Sequence, residues 1–82
     1  MSRVDLVRLD GKPVAVVADG EARITAGLDE QAEATVKGMC LFAMEVQAGV
    51  VDGPYTDARA LRYAQLANRQ RAAAAEPGRL AR

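Results

Sequence analysis

The chain has 82 residues, half of them hydrophobic, and its eleven basic and eleven acidic side chains leave a formal net charge of zero. That length allows one domain with a core of limited size. With Phe42, Tyr55 and Tyr63 as the whole aromatic content, the core has to be aliphatic. There is no histidine and one cysteine, Cys40. This removes the imidazole general base, the Ser-His-Asp triad, internal disulfides and cysteine zinc clusters.

No apolar run approaches the ~20 residues of a membrane span, and no leader pattern opens the chain. Cys40 falls inside a helical pattern and reads as a buried small hydrophobe in a reducing compartment. A cytoplasmic protein is expected, with a single α+β domain over residues 1–77 and a flexible tail at 78–82. Charge is unevenly spread. Residues 1–53 hold nine carboxylates against five basic side chains, and residues 54–82 hold six arginines against two carboxylates. Such polarity can steer docking between molecules, and it also suits acidic helix starts and basic helix ends.

The first element is a hairpin. Val4–Leu9 and Val14–Val17 alternate around Asp10-Gly11, the pair that best fits a two-residue type I′ turn. A regular ladder from that turn sets Leu9 against Lys12, Val7 against Val14 and Asp5 against Val16. Asp19-Gly20 supplies a second turn and a third strand at Glu21–Thr25, with Ala22 opposite Val17 and Ile24 opposite Ala15. That strand is short enough to be read as loop as well. Pro13 lacks the N–H that a central ladder uses, but next to the turn this N–H would point away from the first strand.

Alternation sorts these residues onto two faces. One face collects Val4, Leu6, Ala15, Val17, Ala22 and Ile24, and is expected to carry the helices. The other collects Val7, Leu9, Val14 and Val16, ringed by Asp5, Lys12, Arg23 and Thr25. A sheet on a small monomer needs one apolar face only, since water wets the other. The second face therefore predicts self-association, a dimer in the simplest case, through Val7, Leu9, Val14 and Val16. The competing reading covers that face with the chain's own C-terminal helix or tail.

Residues 29–50 read as a helix capped by Asp29, with Glu30 and Glu33 in its first turn. Ala32, Val36, Met39, Ala43, Val46 and Val50 form its apolar stripe. Leu41 and Met44, on its back, are expected to meet a second helix or a partner chain, and Gly38 allows close approach. After a turn at Gly49–Pro54, Thr56 caps a second helix that runs to about Ala75, where Pro77-Gly78 stops it. Its apolar side, Ala60, Leu61, Tyr63, Ala64 and Ala67, is built largely of small residues and predicts a close antiparallel helix pair. The fold class expected is α+β, a short antiparallel β-meander followed by two antiparallel helices.

The chemistry left is sparse. No phosphate-binding glycine loop, dinucleotide fingerprint or nucleophile elbow occurs. The acids Asp29, Glu30 and Glu33 lack the spacing of a calcium loop and suit a helix start. No enzyme activity, cofactor, metal site or membrane partner is expected. What remains is the far side of the second helix, where Arg59, Arg62 and Arg69 flank Leu66. It offers a surface for a protein partner. A small self-associating interaction or regulatory module is therefore the functional expectation. The alternative is a dimeric DNA-binding regulator that sets this helix against phosphates, since Glu45–Asn68 has a helix–turn–helix outline.

Overall fold

The structure, a computed structural model, describes residues 3–74. Both N-terminal Asp-Gly pairs turn the chain as their chemistry requires. Asp10 and Gly11 have φ of 55° and 77°, and Asp19 and Gly20 have φ of 53° and 79°. Positive φ at both central residues is the signature of the type I′ turn, whose twist matches that of the flanking strands. The turns join β1 (Val4–Leu9), β2 (Lys12–Ala18) and β3 (Glu21–Ile24) into an antiparallel sheet in the order β1-β2-β3. Two helices follow, α1 (Glu30–Gln47) and α2 (Asp57–Ala74), and the fold is α+β. The expected helix end at Ala75, the Pro77-Gly78 stop and the tail at 78–82 lie outside the described residues.

Between β2 and β3 the expected register holds, with Ala15 opposite Ile24 and Val17 opposite Ala22. Between β1 and β2 it does not. Leu9 pairs with Lys12 as anticipated, but Arg8 then pairs with Pro13 and Val7 with Ala15, so Val14 is left as the extra residue of a β-bulge. The bulge sits where Pro13 has no N–H to give the ladder, a position where bulges and prolines are tolerated. Because side chains alternate with period two, one extra residue turns the whole of β1 over relative to β2. Val7 and Val14 are therefore in the core, together with Ala15 and Val17. Val4 and Leu6 face outward. The expected face assignment is corrected for these residues. Leu9 too packs against the core, and of the four residues assigned to the open face only Val16 lies there.

α1 starts where Asp29 accepts a hydrogen bond from the Ala32 N–H at 2.8 Å. Its C-terminus closes with the Val50 N–H bonded to the Glu45 carbonyl and the Gly49 N–H to that of Val46, the paired pattern of a Schellman ending. The helix thus stops before Val50, which leaves the apolar stripe and is 73% exposed. Gln47 ties this end to the sheet: its Nε2 donates to Asp5 Oδ2 at 2.9 Å and to the Val17 carbonyl at 3.0 Å. Val36, Met39, Ala43 and Val46 are buried as the stripe requires. Leu41 is exposed.

α2 is capped by Thr56, whose Oγ1 accepts from the Arg59 N–H. It lies antiparallel to α1. Ala64 meets Gly38 near the middle of α1, while Arg71 stands by Glu30, Glu33 and Lys37 at the α1 start. Ala60 and Ala64 are its buried residues. Two layers result, a three-stranded sheet and a helix pair, with the core between them. Among the described residues no polar or charged side chain is buried.

Candidate self-association face and arginine cleft

The sheet face turned away from the helices is built from two cross-strand rows. Val4, Ala18 and Glu21 make one, and Leu6, Val16 and Arg23 make the other. Val4 is 61% exposed and Leu6 38% exposed, while Val16 and Ala18 are half-buried by their neighbours. Arg8, paired with Pro13 beyond the bulge, continues the face toward the hairpin turn. Four apolar side chains thus occupy the β1–β2 part of an uncovered surface, and the charged pair Glu21 and Arg23 occupies its β3 margin. Val16 and Arg23 are where alternation along β2 and β3 predicts them. Alternation counted from the turn sends Val4 and Leu6 inward; the one signal for their true direction is Pro13, which marks a place for the ladder to slip.

The second predicted surface is assembled in part. Arg59, Arg62 and Leu66 line a shallow cleft of about 390 Å³ with Ala58, Phe42 and Tyr63. Arg69 lies further along α2, exposed and outside that lining. Spacing puts Tyr63 on the apolar packing side of the second helix and gives no sign of a cleft. Phe42 and Tyr63 are two of the cleft's six lining residues because the chain's aromatic rings gather there: the Phe42 centroid is 5.4 Å from that of Tyr63 and 6.1 Å from that of Tyr55. Leu66 is 48% exposed beside them.

The arginines of this cleft are not equivalent. Arg59 stacks its guanidinium over Phe42, 5.1 Å from the ring centroid, and donates through Nη1 to the Pro54 carbonyl at 2.7 Å. This arginine staples the interhelical turn to the aromatic cluster. Arg62 is exposed and has no such internal role among the contacts described.

Behind the cleft, Asp57 at the start of α2 accepts two hydrogen bonds through Oδ1, from the Tyr55 hydroxyl at 2.9 Å and from the Arg8 N–H at 3.1 Å. The second bond caps a backbone donor on the outer edge of β1, where an open strand would otherwise invite pairing. Desolvation, followed by the hydroxyl's own bond to Asp57 and the charge of that carboxylate, holds Tyr55 well above the usual phenol range. Tyr63 is pushed up as well, by desolvation and then by Glu45, whose Oε2 accepts from its hydroxyl at 3.2 Å. Burial raises the Cys40 thiol, which keeps it protonated and a poor nucleophile.

Among the described residues no group of three or more carboxylate, thiol or imidazole side chains stands close enough to hold a metal ion. No helix among them is long and apolar enough to cross a membrane. No protein-family model, curated protein or solved structure matches the chain.

Proposed function

We propose that this protein is a non-catalytic interaction module that self-associates through the open face of its sheet and uses the α2 cleft to bind a protein partner. The observation that carries the reading is the exposure of Val4 and Leu6 beside Val16 on a face that neither helix covers. An antiparallel sheet that keeps one face in water ordinarily alternates polar residues there. Here the β1–β2 part is apolar and the charges stand at the rim, the layout of an interface core. The residues differ from those alternation alone predicted, because Val7 and Val14 serve the chain's own core, but the need for a cover on the outer face is the same.

Three short strands offer a small patch, so association should be reversible, with a dissociation constant on the order of micromolar. Sedimentation velocity from low to high micromolar concentration tests it. A concentration-dependent dimer that Leu6→Asp abolishes is the expected result. A strict monomer at high micromolar concentration, unchanged by Leu6→Asp, rejects the reading.

A protein partner at the cleft is favoured over DNA by the state of Arg59. Its guanidinium is spent on Phe42 and Pro54, which leaves Arg62 and Arg69 as the outward cations of the predicted stripe. An exposed leucine beside two aromatic rings suits an apolar anchor better than a phosphate. Duplex affinity at low salt that falls steeply with added salt and disappears in Arg62→Ala would reverse this preference.

A further inference from the structure

The charged margin of the open face selects one way for two copies to meet. Closed dimers use a twofold axis, so the same patch must complement itself. For two sheets packed face to face the axis lies between them, and it can run along the strands or along the cross-strand rows. With the axis along the strands, β1 of one copy covers β3 of the other. Val4 then sits over the partner's Glu21, and Leu6 over the partner's Arg23, so each charge is set against methyl groups.

With the axis along the rows, each strand covers its own counterpart and the two rows exchange. Val4 then meets the partner's Leu6, Ala18 meets the partner's Val16, and Glu21 meets the partner's Arg23. The symmetry repeats each contact. Twisted sheets pack at about −30°, which at one strand spacing from the centre displaces facing residues by roughly 3 Å. An arginine side chain spans that offset.

We infer that a second copy of this chain docks with its strands antiparallel over these, β1 on β1 and β3 on β3, joined at the rim by two reciprocal Glu21–Arg23 ion pairs. The inference rests on the self-association proposed above and adds its geometry. The apolar rows supply the area, and the rim pair sets the register and excludes the other axis.

Charge reversal tests it. Sedimentation equilibrium at low salt is run on the native chain, on Glu21→Arg, on Arg23→Glu, and on the double variant carrying both. In either single variant two like-charge pairs replace two ion pairs, and dimer affinity should fall by about tenfold or more. The double variant restores opposite charges with their positions swapped, and should return to within about threefold of the native chain. Both positions are exposed, so the folded monomer should be preserved; urea midpoints on the same samples verify this. A native dimer that ignores the single reversals, or a double variant no tighter than the singles, overturns the arrangement while leaving self-association in place. A native chain that stays monomeric overturns both.

Discussion

Gly38 of α1 faces Ala64 of α2 with no room between them for a side chain: a Cβ placed at position 38 would lie 2.7 Å from the Ala64 Cβ and 2.9 Å from its Cα. The second of these atoms is main chain, which cannot swing aside. In an open helix, Gly→Ala gains about 1 kcal/mol. Here Gly38→Ala must push α2 away from α1, and overpacking of this kind costs about 1–3 kcal/mol. Urea denaturation should therefore show a lower midpoint for Gly38→Ala, whereas helix propensity alone would raise it.

Asp57 joins three parts of the molecule, the α2 start, the Tyr55 hydroxyl and the β1 edge at Arg8. Asp57→Ala removes both acceptor contacts, and net losses near 1 kcal/mol per hydrogen bond predict a destabilisation of about 2 kcal/mol. Asp57→Asn retains the oxygen and should lose less than half of that. Chemical denaturation of the two variants separates the lost acceptor from the lost charge.

The bulge makes a sharp contrast between neighbours in β1. Val7 is fully buried and Leu6 is on the open face. Val7→Ala should cost about 2 kcal/mol of folding stability, the transfer and cavity cost of a buried aliphatic side chain. Leu6→Ala, measured at concentrations below the dimer range, should stay within about 0.5 kcal/mol. A regular ladder without the bulge predicts the reverse order, so thermal or urea unfolding of the pair reports which face each side chain occupies.

Stability should fall in alkali. Tyr55 is held above its ordinary value in the folded chain by desolvation and by Asp57, and Tyr63 and Cys40 shift the same way through burial. For each, the native state keeps a proton that the unfolded chain gives up, so stability is fully present below the unfolded values, starts to fall as pH passes them, and is lost as pH rises through the folded ones. The decline should begin near pH 9, where a free thiol ionises, and steepen above 10 as unfolded tyrosines do. Tyr55→Phe should flatten the upper part. Ultraviolet titration of tyrosinate, run beside circular dichroism, should show Tyr55 ionising together with unfolding.

Much of this molecule was readable residue by residue. Asp10-Gly11 and Asp19-Gly20 specify their turns because few other pairs accept positive φ twice in succession. Asp29 and Thr56 specify helix starts through the side-chain oxygens they offer to orphan N–H groups. The apolar stripe from Val36 to Val46 and the small residues Ala60 and Ala64 specify which helix faces pack. These are local properties, each decided within a turn of helix or a pair of strands.

Facing across β1 was of another kind. Counting outward from Asp10-Gly11 by a strict period of two sends Val4 and Leu6 to the helices, and one bulged residue at Val14 reverses it. Both faces of the hairpin are aliphatic, so the pattern itself could not choose between the registers. The choice belonged to the packing of Val7, Val14 and Val17 beneath α1 and to the hydrogen bonds that Asp57 and Gln47 make to the strands. The cleft has the same origin: Phe42, Tyr55 and Tyr63 come together only once the helices lie side by side. Short-range chemistry wrote the elements into the chain, whereas the sheet's outward face followed from contacts between residues some 30 to 50 positions apart.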